Sequence, residues 1–130
     1  MSSSEEKIKK LKELLKSRGT VDQEVKAYLD IYFLNKAEVI NEALERGITK
    51  YIYTPSERIV WTAMGTEREY LLYPQLFCSC IDFYKEVVIK RSRKFCKHLI
   101  AQIISIHLNT YQTVKLKDHE FIIRTQVLTR

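Results

Sequence analysis

All three cysteines of the 130-residue chain lie in one short segment, and a histidine follows the last of them. Cys78 and Cys80 form a Cys-x-Cys pair, and fifteen residues later Cys96 and His98 form a Cys-x-His pair. Three thiolates and one imidazole complete a tetrahedral shell around zinc and leave no open position for a substrate. The intervening segment is long enough to fold back and bring the pairs together. We therefore predict a structural site for one Zn²⁺ per chain.

Three other arrangements of these residues compete with a metal site. Free cysteines often serve as small buried apolar side chains, but chance would not gather three of them around one histidine. A disulfide between Cys78 and Cys80 would leave one thiol over, and no secretory context is visible. A Cys-His nucleophile pair would leave two cysteines without a role. The number, type and spacing of the ligands favour zinc.

The two ligand pairs also resemble the SWIM-type zinc-binding signature. Phe83 follows the second cysteine closely, and Ala101 completes the pattern Cys-x-His-x-x-Ala. This extended form resembles that of the SWIM subunits of Shu-type homologous-recombination complexes. The signature covers residues 78–101, and outside it the likeness consists of a short chain with a helical lead-in. We expect the side chains of Phe83 and Ala101 to pack beside the metal.

Charge and hydropathy indicate the kind of partner and the cell compartment to expect. The formal net charge is +6, which favours an anionic partner such as nucleic acid or an acidic protein surface. The sequence contains no run of eighteen apolar residues, so we expect no membrane span. Its first residues, MSSSEEKIKK, lack the apolar core of a signal peptide. We expect an intracellular protein, cytoplasmic or, in a eukaryote, nuclear.

The N-terminal part of the chain, before the ligand pairs, is predicted to be helical. Apolar side chains recur at helical spacing over residues 4–17 and again over about 20–46, and each stretch opens with a capping box. The two boxes are Ser3 with Glu6 and Thr20 with Gln23. An aromatic cluster in the second stretch, Tyr28, Tyr32 and Phe33, is more typical of a core than of a base-stacking platform.

From residue 50 the pattern changes to that of a small antiparallel β-meander. The strand segments are residues 51–53, 58–63 and 67–73. Residues 96–108 then predict an apolar core helix with both late ligands on its first turn. The resemblance implies the same order, a zinc-stapled ββα-like SWIM module. Asp118 can cap a last helix through residue 128, although a strand fits those residues too.

These elements predict an α+β fold with three regions in a single compact domain. Residues 1–47 form an N-terminal helical region, residues 48–110 the SWIM zinc-binding module, and residues 111–130 a C-terminal element. An apolar element at a chain end either closes the domain or meets a partner. The isolated chain could also form a homodimer, and the sequence leaves both alternatives open.

The insert between the ligand pairs is strongly basic. Its cationic side chains are Lys85, Lys90, Arg91, Arg93 and Lys94, and Lys97 adds another inside the second ligand pair. Such a run is the best candidate for a phosphate-facing surface, and its alternative is a solvated loop. Val87, Val88 and Ile89 interrupt the charge, and we expect them to pack inward.

The sequence gives no case for catalysis. It contains no Gly-rich phosphate loop, no carboxylate pair beside an activated histidine, and no glutamate placed as in zinc deaminases or proteases. The resemblance implies an interaction subunit that joins a RecA-like recombinase paralogue and helps to load or stabilise recombinase on single-stranded DNA during homologous recombination and DNA repair. The alternative is a free-standing zinc-dependent DNA-binding module that uses the basic insert.

Overall fold

The computed structural model describes residues 4–121. Its α-helices are α1 (Ser4–Arg18), α2 (Gln23–Tyr32), α3 (Ala37–Arg46) and α4 (Lys97–Leu108). The strands are β1 (Ile48–Thr54), β2 (Arg58–Met64), β3 (Glu69–Tyr73), β4 (Phe77–Cys78) and β5 (Gln112–Lys117). A π-helical segment spans Phe83–Ile89, and a 3₁₀ turn spans Asp118–Glu120. None of the helices described is long and apolar enough to cross a membrane.

The five strands form one sheet in the order β4-β3-β2-β1-β5. Strands β1 to β4 pair as antiparallel neighbours, which confirms the predicted meander. Strand β5 follows α4 and adds to the free edge of β1 in parallel. The predicted α+β class, with helices before the meander and a core helix after the second ligand pair, is confirmed.

Helix α4 is the centre of the core. Its residues from His98 to Ser105 are all buried, and α1 and α3 pack against it. The core cluster draws on the helices and the sheet, and it also contains the three cysteines. The opposite face of the sheet carries a smaller cluster around Tyr53. The site segment is thus fixed to the most buried helix of the structure.

The predicted long second helix is wrong, because the chain breaks between α2 and α3. Leu34 and Asn35 both adopt positive φ angles, 57° and 58°, which end α2 and redirect the chain. The Asp30 carboxylate accepts a hydrogen bond from the backbone N–H of Ala37 at 3.0 Å and so caps the start of α3. Asp22, not Thr20, caps α2 through the N–H of Val25.

Two further expectations, on Tyr32 and on the apolar residues of the insert, need correction. Tyr32 lies at the surface, whereas Tyr28 and Phe33 pack against the core as predicted. Val88 and Ile89 are exposed, since the insert folds as a π-helical segment that turns only part of its apolar side inward.

The Asp118 carboxylate does not begin a long helix in the described part of the chain. It accepts hydrogen bonds from the Ser56 backbone N–H and hydroxyl, at 3.0 and 2.7 Å, and so ties the end of β5 to the turn after β1. The rest of the predicted C-terminal helix and the Ser3 cap lie outside the described residues.

Candidate metal centre

The structure brings the four predicted ligands together. One potential ligand atom from each of Cys78, Cys80, Cys96 and His98 lies within 4.8 Å of all the others, and all four residues are buried. Cys78 ends strand β4 and Cys80 lies in the turn that follows. Cys96 is the N-cap of α4, with extended backbone angles, and His98 lies in the first helical turn. The sheet therefore supplies one pair and the core helix supplies the other.

The distances fit a tetrahedral zinc shell. The Cys78 Sγ and His98 Nδ1 atoms are 3.7 Å apart. Two ligands at ordinary Zn–S and Zn–N bond lengths on a tetrahedral ion are separated by about 3.6 Å. None of the three cysteines, all of which are described, forms a disulfide. The residues present can therefore hold zinc through three sulfurs and Nδ1, in a shell that serves the fold and leaves no position for a substrate.

The sulfur atoms already act on one another electrostatically. The pKa of Cys80 lies below its usual range because the thiols of Cys78 and Cys96 donate hydrogen bonds to its sulfur. The pKa of Cys78 lies above its usual range, first because its thiol donates to Cys80. Zinc binds all three cysteines as thiolates, so metal binding must release the protons that the thiols carry.

Residues around the cluster hold the ligands in place. Phe83 is buried, and its backbone N–H donates to the Cys80 sulfur at 3.3 Å. The Tyr70 ring lies against the His98 ring, with centroids 5.0 Å apart. Ala101 is fully buried one turn beyond His98. No sequence pattern predicts a role for Tyr70, because its contact with the site arises only when β3 lies beside α4.

Comparison with known proteins agrees with this geometry. The chain is 30% identical over 94 residues to the zinc finger SWIM domain-containing protein 7 homolog of Dictyostelium discoideum, a match that covers 71% of the chain. The chain is thus similar to a SWIM zinc-finger protein and carries a Cys/His cluster compatible with a SWIM zinc site. The match spans 57% of the relative's own length. No family model and no solved structure matches the chain.

The predicted basic surface divides into three parts. Lys85, Lys90 and Arg91 are exposed on or just after the π-helical segment. Arg93 turns inward and donates to the Asp82 carboxylate at 2.9 Å. Lys94 and Lys97 line a pocket together with Arg93 and residues of the N-terminal helices. The insert is therefore not one continuous phosphate-facing strip, and nucleic-acid contact through it stays a prediction.

An exposed apolar cleft beside the metal centre was missed by the sequence reasoning. We define the apolar cleft by Phe77, Ile81, Tyr84 and Val88, which line one depression together with Cys78 and Cys80. Ile81 is 66% exposed and Tyr84 is 55% exposed. Residues 81, 84 and 88 recur at helical spacing, and that spacing was the available signal.

Proposed function

We propose that this protein is a non-catalytic interaction subunit that joins a RecA-like recombinase paralogue and promotes homologous recombination and DNA repair. The observation that carries the proposal is the apolar cleft directly beside the metal cluster. Contiguous exposed apolar side chains of this kind mark protein interaction sites. The resemblance to SWIM subunits of Shu-type complexes supplies the class of partner.

The ligand set supports a role in binding. Four protein ligands fill a tetrahedral shell, so the zinc has no position at which to activate water. The metal's contribution is to fix the end of β4 and the π-helical segment against α4, which sets the shape of the cleft. A recombinase paralogue would supply the nucleotide site, and the complex would help load or stabilise recombinase on single-stranded DNA.

The test is co-purification with a tagged RecA-like paralogue from the same organism, using the zinc-loaded chain. Ile81→Asp or Val88→Asp should abolish co-purification because a carboxylate would be buried in an apolar interface. Ile59→Asp is the matched control, since Ile59 is about half exposed but lies on β2, outside the cleft. Each variant is first shown to keep its zinc content and circular dichroism.

Two results would overturn this proposal. One is that the wild-type chain fails to co-purify with any paralogue. The other is that the cleft variants bind the paralogue as well as Ile59→Asp does. We also expect the isolated chain to self-associate through the exposed cleft and to become monodisperse when co-expressed with its partner.

A free-standing DNA-binding module is the second candidate, and the net charge of +6 favours it. This candidate requires the isolated chain to bind single-stranded DNA with an affinity that falls steeply with salt. Neutralising three phosphates, for example, gives a slope of log affinity against log salt of about −2. Measurement of that slope for the isolated chain and for the paralogue complex separates the two functions. The interaction subunit requires tight binding only in the complex.

A further inference from the structure

A second pocket lies between the N-terminal helices and the segment that leads into α4. Its volume is about 180 Å³. Tyr32, Phe33, Phe95 and Ile100 give it an apolar floor and wall. Its cationic lining residues are Lys7, Lys36, Arg93, Lys94 and Lys97. Among the described residues that line it, none carries a carboxylate.

The cations of this pocket are mostly left without a counter-charge. Arg93 is ion-paired with Asp82 at 2.9 Å and lies 4.0 Å from Glu86, so its charge is already compensated. The four lysines form no ion pair within the described part of the chain. Four like charges around an apolar floor create a positive potential that an anionic ligand would neutralise. The pocket therefore favours a ligand that is both apolar and acidic.

The rim indicates what kind of anionic ligand fits. Leu34, which lines the pocket, is 64% exposed, and Ile31, in the last turn of α2, is 71% exposed. Leu34 has a φ of 57°, in the left-handed region that non-glycine residues seldom adopt. Tyr32 is the one exposed aromatic ring of the lining, and Tyr28 already packs against it at 4.6 Å.

Single-stranded nucleic acid is bound by open aromatic faces on which successive bases stack. The exposed part of this lining offers one partly covered ring, Tyr32, and one aliphatic side chain, Leu34, above a buried apolar floor, a combination more typical of a protein interface with an apolar centre and a charged rim. We propose that the pocket binds an acidic segment of a partner protein. An apolar anchor side chain of that segment enters the pocket, and flanking carboxylates meet the four lysines. This docking site shares no residue with the apolar cleft and does not depend on the identity of the partner there.

The test measures fluorescence anisotropy of labelled probes with the zinc-loaded 130-residue chain. The first probe is a synthetic peptide in which leucine and phenylalanine alternate with glutamate, and the second has glutamine in place of every glutamate. The third probe is an oligothymidylate. We expect the glutamate peptide to bind most tightly. Lys36→Glu/Lys94→Glu should weaken its binding by at least about tenfold, because attraction becomes repulsion at two rim positions.

Lys10→Glu/Lys115→Glu is the matched control, since it changes the net charge equally at two exposed lysines outside the pocket. Equal weakening by both double variants would overturn the proposal in favour of diffuse attraction. If the glutamine peptide bound as tightly as the glutamate peptide, the pocket would not recognise carboxylates, and the proposal of an acidic segment would be wrong. Tighter binding of oligothymidylate, lost in the pocket variant, would make this a nucleic-acid site. Concentration-dependent dimerisation lost in the pocket variant would make a second copy of the chain the occupant.

Discussion

Removal of the metal should unfold the region from Cys78 to Leu108. A bound zinc would bond the end of β4 to the start of α4, two elements that otherwise meet only through non-covalent packing in the described part of the chain. Helix α4 is in turn the surface on which α1 and α3 pack. A strong chelator should therefore remove α-helical signal cooperatively rather than loosen one loop.

The magnitude follows from comparing two free energies. Structural zinc in small domains contributes about 10–16 kcal/mol at neutral pH. A chain of this length has a total unfolding free energy of about 6–20 kcal/mol, at 0.05–0.15 kcal/mol per residue. The two figures are of the same size, so the metal-free chain keeps little or no net stability. Loss of zinc is expected to abolish partner binding through unfolding.

The assay is circular dichroism at 222 nm during chelator titration, with zinc content measured on the same samples. His98→Ala should lose zinc and most helical signal. His107→Ala is the control, because His107 is exposed on the same helix and points away from the site. Cys96→Ala should behave like His98→Ala. Either ligand variant with native circular dichroism and full zinc content would refute the ligand assignment.

Three smaller changes test the packing around the site in urea melts of the zinc-loaded chain. Ala101→Leu should destabilise by about 1–3 kcal/mol through overpacking of a fully buried position; no loss beyond that of Ala27→Leu, at an exposed helical position, would contradict this. Gln102→Leu should stabilise by about 1–3 kcal/mol, because both buried amide atoms of Gln102 lack a hydrogen-bond partner among the described residues. A destabilised Gln102→Leu would show that the amide is satisfied. Gly65→Ala should cost about 1–3 kcal/mol and weaken zinc binding, since a Cβ there meets the Tyr70 ring that packs on His98; unchanged zinc affinity would separate Tyr70 from the site.

The metal centre could be predicted from sequence because its four ligands lie in one short segment, as two closely spaced pairs. Ligand type and spacing restrict a Cys-x-Cys and a Cys-x-His pair to very few arrangements, whatever the rest of the chain does. Helix α4 was equally predictable, because a nearly continuous apolar stretch with metal ligands on its first turn must lie in the core beside the metal site. The first helix and the three main strands followed from periodicity and turn residues.

The break between α2 and α3 was not predictable in the same way. No glycine or proline marks residues 33–36, and the turn depends on positive φ angles at Leu34 and Asn35. The cap from Asp30 to Ala37 spans seven residues, beyond the reach of a capping-box pattern. Strand β5 was missed because its partner, β1, lies about sixty residues earlier in the chain. Its alternation of Val114 and Leu116 with lysines was a weak local signal.

The position of the insert between the ligand pairs determines how the two proposed surfaces can be studied. Both ends of the insert are fixed by metal ligands, at Cys80 and Cys96. Its first half contributes Ile81, Tyr84 and Val88 to the apolar cleft, and its second half contributes Lys94 to the cationic pocket. A ligand variant removes both surfaces at once, so its phenotype cannot assign a partner to either. Surface variants that keep zinc can assign a partner to each surface. A cleft variant should lose binding of the recombinase paralogue alone, and a pocket variant should lose binding of the acidic segment alone.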